Sequence, residues 1–166
     1  MAEQQRHGLL REGVTTGFLG ATAVAVWFLI VDLVHGQALH TPATLGRVFF
    51  SLFGPEAGET TLQHVLGYTV FHYLAFMVVG TILAAILRQA DSEPSVLAGA
   101  LIFFFVFQLA VFGLVSLLSE KTLLGDMAWA QIFAANIVAS VIMGWYLWRQ
   151  HPRAVSELAQ ALGGRE

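Results

Sequence analysis

The chain has 166 residues, of which 57% are hydrophobic and 11% charged, with a formal net charge of −3 and a mean hydropathy of +0.70. A soluble domain carries about 25% charged residues to meet water, and a nucleic-acid binder needs a basic footprint; neither is present, so the composition reads as an integral membrane protein. The absence of cysteine excludes disulfides, thiolate-held clusters, covalent haem attachment through C-x-x-C-H and thiol catalysis.

The first apolar run, Gly13 to Val34, follows Arg6 and Arg11. It is longer than a signal-peptide core, and no A-x-A pattern closes it at Val34-His35-Gly36, so it reads as a retained anchor. Three further runs follow at residues 65–87, 96–118 and 127–148. Each exceeds or approaches the ~20 apolar residues needed to cross ~30 Å of hydrocarbon. Backbone polar groups in lipid must bond internally, so each run is predicted to be a helix. The alternation of a membrane barrel strand is missing. The expected fold is all-α: a four-helix transmembrane bundle over residues 13–148, with tails at 1–12 and 149–166.

The loop between the first two runs holds a short amphipathic helix, predicted over residues 42–53. Thr41 is its expected cap and Pro42 suits a first helical position. Leu45, Val48, Phe49, Leu52 and Phe53 recur at helical spacing, and Gly54-Pro55 stops the run. Thr44, Arg47 and Ser51 fall on the opposite face. Such a stripe suits a helix lying flat in the headgroup region or one docked on the bundle or on a partner protein; the sequence leaves both open. Val155, Leu158 and Leu162 suggest a short surface helix in the tail.

Orientation follows the Lys and Arg beside the runs. Arg6, Arg11, Arg88, Arg149, Arg153 and Arg165 fall on one side, Arg47 and Lys121 on the other. Both termini are therefore expected on the cytoplasmic side of a bacterial inner membrane.

Lipid tails are as apolar as leucine, so helices associate through small residues and polar contacts. Gly13, Gly17, Ala21 and Ala25 make one small stripe. Gly80 and Ala84 face it in principle, as do Ala128, Ala135 and Ala139, or Asn136, Ser140 and Gly144, on the last run. The Phe103–Phe107 stretch is too bulky all round for every ring to pack inside four helices. Gln108 and Asn136 lie near the midplane, where an unpartnered amide costs several kcal/mol; with Ser140 they are expected to bond one another or backbone carbonyls.

The most informative polar residues are Asp32, His35, His64, Tyr68 and His72, because ionisable groups in a membrane are functional candidates by default. Asp32 and His35 share a face; His64, Tyr68 and His72 descend another at four-residue steps. One reading is structural, with Asp32 bonded to Tyr68 and a histidine paired to the carboxylate. A second makes Asp32, His35 and His64, with His40, a divalent-metal site. A third makes His72 the ligand of a haem or chlorophyll-type pigment, although bulky Tyr68 stands where light-harvesting A-x-x-x-H motifs place a small residue. Glu56, Glu59, Glu120 and Asp126 make the outer loops acidic, which suits solvated surface or a cationic periplasmic partner.

The segments Gly20–Leu33, Thr41-Pro42, Gly67–Phe76 and Gly144–Pro152 resemble an uncharacterised group of four-span bacterial integral membrane proteins. The resemblance covers nearly the whole chain; it implies the fold and no activity.

No run carries a central Lys, Arg, Glu or Asp of the kind ion-coupled transporters use. No G-x-S-x-G elbow, P-loop or H-E-x-x-H is present. The expectation is a non-catalytic accessory or structural subunit of an energy-converting membrane complex, respiratory or photosynthetic, partnered by lipid and other integral subunits. The alternatives are a metal-, haem- or pigment-binding membrane protein and a small permease or channel using Gln108, Asn136 and Ser140.

Overall fold

The computed structural model describes residues 2–54, 60–90, 96, 109 and 128–151. Among these every regular element is helical: α1 (Ala2–Val34), α2 (His40–Ser51), α3 (Thr61–Ala90) and α4 (Ala128–Gln150). Three of them contain stretches long and apolar enough to cross a membrane, at His7–Val34, Thr61–Gln89 and Ala130–Gln150. Apart from Val96 and Leu109, the expected span at 96–118, with Gln108 and the Phe103–Phe107 stretch, lies outside the described residues, as do the loop acids and the tail helix.

α1 starts well before the predicted boundary. Ala2-Glu3-Gln4-Gln5-Arg6 is a run of good helix formers, so the polar segment continues the helix rather than forming a tail. α1 ends in a Schellman motif. Gly36 adopts φ +71°, its N–H bonds the Leu33 carbonyl at 3.0 Å, and the Gln37 N–H bonds the Asp32 carbonyl at 2.9 Å. A side chain at Gly36 would strain that left-handed turn.

α3 starts with a capping box that the sequence spells as Thr60-x-x-Gln63. The Gln63 N–H donates to the Thr60 hydroxyl oxygen at 3.3 Å, and the Thr60 N–H donates to Gln63 Oε1 at 2.9 Å. Two orphan donors at the helix start are thereby satisfied.

α1 is the central helix, with α3 and α4 packed on it and α2 laid against α3. The α1–α3 crossing is backbone on backbone. A methyl group built on Gly80 would stand 2.8 Å from the Gly17 Cα, and one on Gly17 would stand 2.5 Å from the Met77 Cα. These are separations that atoms do not tolerate, so only glycine allows this approach. Gly13 abuts Thr81 in the same way, 2.9 Å from its Cβ. Of the expected small stripe, Gly13, Gly17 and Ala21 are buried, but Ala25 is exposed and Val24 takes its place. A strict four-residue step drifts off a helix of 3.6 residues per turn, so the interface slips back by one position. Val24 then packs with Ala135 and Ala139 of α4, flanked by Trp27, Phe28 and Phe76.

α2 docks on α3, and its buried side is not the expected apolar stripe. Thr41, Ala43, Thr44 and Gly46 are buried, while Leu52 and Phe53 are exposed. Close approach decides this. A Cβ on Gly46 would meet the His64 backbone, 2.6 Å from its carbonyl carbon, so the small face goes inward. Phe49 stacks on Phe71 at 4.6 Å between ring centres, and Phe50 lies against His64 at 5.7 Å.

The outer surface is a set of apolar rows. Leu62, Leu66, Val70, Leu74, Val78 and Ile82 of α3 are all exposed, as are Phe133, Ile137, Val141 and Trp145 of α4. Each row advances by four residues and winds slowly round its helix, as a lipid-facing seam does.

Candidate functional site

Two buried carboxylates of α1, Glu12 and Asp32, organise the polar chemistry of the described residues. They stand twenty residues apart, which is about 30 Å along a helix and matches the hydrocarbon thickness. One therefore sits at each end of the apolar zone.

Asp32 occupies the last turn of α1 and is 4% exposed. The turn from Gly36 to Leu39 swings α2 back over it. Leu39, at φ 64°, holds the N-cap position of α2 without a side-chain cap. Asp32 supplies the missing acceptor: its Oδ2 receives the Thr41 N–H at 2.8 Å and its Oδ1 receives the Thr41 hydroxyl at 2.7 Å. Thr41 is thus not the N-cap that the local sequence suggests. The helix starts two residues earlier than expected, at His40, and Thr41 is the residue that Asp32 caps. A carboxylate at that point also meets the positive end of the α2 dipole.

Asp32, His35 and His64 are not brought together, nor is Asp32 bonded to Tyr68. His35 is exposed, and its Nδ1 donates to its own helix at the Val31 carbonyl, 2.7 Å away. His64 is half-buried against Phe50, and His40 is exposed at the start of α2. Among the described residues no three His, Asp or Glu side chains converge as ligands for a metal ion.

His72 and Tyr68 lie deeper on α3. The His72 Nε2 stands 3.2 Å from the Ala21 carbonyl of α1. A carbonyl only accepts, so Nε2 carries the proton and that nitrogen is spent on the α1–α3 contact. Tyr68 stacks on the His72 ring at 5.7 Å, and Phe76 closes the other side at 4.7 Å. Asn136 and Ser140 are half-buried on α4.

Other polar groups brace the helices in the same manner. The Trp27 indole N–H donates to Gln131 Oε1 at 3.1 Å, linking α1 to α4. The Thr22 hydroxyl donates to the Phe18 carbonyl at 2.8 Å, so the Tyr73 hydroxyl, 3.1 Å away, is the donor to Thr22. Among the described residues no buried side-chain nitrogen or oxygen lacks a partner.

The second carboxylate joins three helices at the opposite end. Glu12 Oε2 receives Arg88 Nε at 3.2 Å and Nη2 at 2.9 Å, while Oε1 meets His151 Nε2 at 2.5 Å. Arg88 ends α3 and His151 follows α4. Sequence reasoning uses Arg88 and Arg149 for orientation, and misses that Glu12 meets Arg88 and His151. The available signal is that one acid and two bases end three apolar runs at a common depth. Beside this knot Tyr146, Gln150 and Arg11 line a polar cleft of about 310 Å3. Arg149 lies over the Trp145 ring at 4.0 Å, a cation–π contact suited to an interfacial belt.

No nucleophile–base pair emerges from these contacts. Each carboxylate has its oxygens occupied by donors that tie one helix to another. Compared with protein families, curated proteins and solved structures, the chain matches none.

Proposed function

We propose that this chain is a non-catalytic, multi-span structural subunit of a larger membrane assembly, an accessory component of an energy-converting complex in a bacterial inner membrane. The observation that carries this reading is the division of labour among side chains. The buried carboxylates Glu12 and Asp32 cross-brace helices, whereas large apolar side chains line the outside of α1, α3 and α4. A surface of that kind is made to be covered by lipid or by neighbouring apolar helices.

The proposal includes a fourth span over residues 96–118 and cytoplasmic termini. Its support is positional. Glu12, Arg88 and His151 meet, so α3 ends and α4 ends at the level where the apolar part of α1 begins. Trp27 and Gln131 meet toward the other end. The chain therefore leaves α3 at one end of the bundle and enters α4 at the other, which supports the proposed span between them. The Arg-rich end is the cytoplasmic one by charge bias.

Purification from native membranes in mild detergent tests the assembly. Co-migration with other integral subunits is the expected result; a lone monomer with nothing stoichiometric attached overturns it. Topology is separately testable, because the chain has no cysteine. Single cysteines at Arg47 and Gln150 should label from opposite sides of the membrane, and labelling from one side refutes the arrangement.

A further inference from the structure

We propose that the cleft between α2 and the start of α3 binds one anionic phospholipid, with the phosphate at Arg47 and an acyl chain along α3. The inference rests on the membrane placement of the chain and not on its membership of an assembly. The cleft encloses about 560 Å3 and is lined by Leu39, His40, Ala43, Arg47, Leu62 and Val65 among others, within the size of sites that hold small ligands. Its chemistry is that of an amphiphile. Arg47 and His40 supply N–H donors at the rim, no carboxylate is among the described lining residues, and Arg47 makes no ion pair among the described residues. Leu39, Ala43, Leu62 and Val65 supply apolar wall, beside the polar Gln37, Thr44 and Thr61.

Continuity with the surface identifies the occupant. Leu62 belongs both to the cleft and to the head of the exposed row Leu62, Leu66, Val70, Leu74, Val78 and Ile82. That row spans twenty residues of α3, about 30 Å, longer than one acyl chain needs. A free anion would use Arg47 and leave the row unused; a zwitterionic lipid would use the row but bring Arg47 a phosphate already offset by its own ammonium. A lipid with a net negative headgroup uses both fully, because its charge is left for Arg47 to balance.

Native mass spectrometry of the full chain released from detergent tests this, with phosphatidylglycerol and phosphatidylcholine of identical acyl chains as probes. One basic side chain near the surface favours an anionic lipid by about five-fold. The wild type should retain phosphatidylglycerol over phosphatidylcholine by that factor. Arg47→Gln should remove the preference and leave phosphatidylcholine adducts unchanged, and Arg47→Lys should keep it. Arg11→Gln, at the other end of α1, should change nothing. Equal retention of the two lipids by the wild type overturns the site. So does a preference that survives Arg47→Gln, or one that Arg11→Gln reduces equally, which would mark general charge attraction. Displacement of phosphatidylglycerol by inorganic phosphate overturns the lipid and leaves a free-anion site. A chain that stays monodisperse without detergent and retains neither lipid overturns the membrane placement itself.

Discussion

The Asp32 carboxylate holds both the N–H and the hydroxyl of Thr41, at 2.8 and 2.7 Å, and so caps a helix that begins eight residues further along the chain. Removing the carboxylate strands two buried donors. Asp32→Ala is expected to cost about 2 kcal/mol, in the range of lost caps and unsatisfied buried groups. Asp32→Asn keeps one acceptor oxygen and should cost about half as much. Denaturation in mixed micelles measures both, and faster amide exchange in the first turn of α2 should accompany the loss. Unchanged exchange at Thr41 and Ala43 in Asp32→Ala would contradict the capping role.

Gly17 and Gly80 let two backbones touch, so they should resist the smallest enlargement. Gly80→Ala is expected to destabilise by about 2 kcal/mol or more, as overpacking does. Gly144 is the internal control, because a Cβ there meets nothing within 4 Å. Gly144→Ala should be neutral or stabilising by up to ~1 kcal/mol through helix propensity. Equal responses at the two positions would rule out the tight crossing.

Glu12 is the shared partner of Arg88 and His151, and its side chain is 10% exposed. Glu12→Gln should cost about 2 kcal/mol, less than a fully enclosed pair would, because Arg88 is 33% exposed and solvent screens it. Replacing Arg88 as well, by methionine, should cost less than the sum of the two single changes. A double-mutant cycle in the full-length protein reads this coupling, and strict additivity would show that the pair contributes nothing.

Trp27 and Gln131 form a hydrogen bond between α1 and α4. Interhelical bonds in membranes average ~0.6 kcal/mol, so Trp27→Phe and Gln131→Leu should each be mild, with non-additive effects when combined. Gln131→Leu should also shift the Trp27 emission, measured in a variant whose other tryptophans are replaced. An unaltered spectrum would mean that the two side chains do not meet.

The parts of the fold legible in the sequence share one cause. Hydrocarbon forbids unsatisfied backbone, so long apolar runs become helices whatever their neighbours do; α1, α3 and α4 follow directly. The small stripe on α1 is legible for the same kind of reason, since glycine is the one residue that lets backbones meet. The stripe on α2 misleads because apolar periodicity reports only that a helix has two faces. Gly46 against the His64 backbone settles which face goes inward, and that contact is not local.

The polar residues divide in the same way. Composition and run length alone determine that this is a helical, cysteine-free chain made for lipid, with carboxylates and arginines confined to the ends of its apolar runs. Which of those groups meet was decided by the tertiary structure: Asp32 with Thr41 and not with a histidine, Glu12 with Arg88 and His151. The physical reason is that a hydrogen bond depends on an approach of about 3 Å between groups whose separation in the chain carries no information. The turn at Gly36 and the glycine crossing set those approaches, and neither distance is written in the order of the residues.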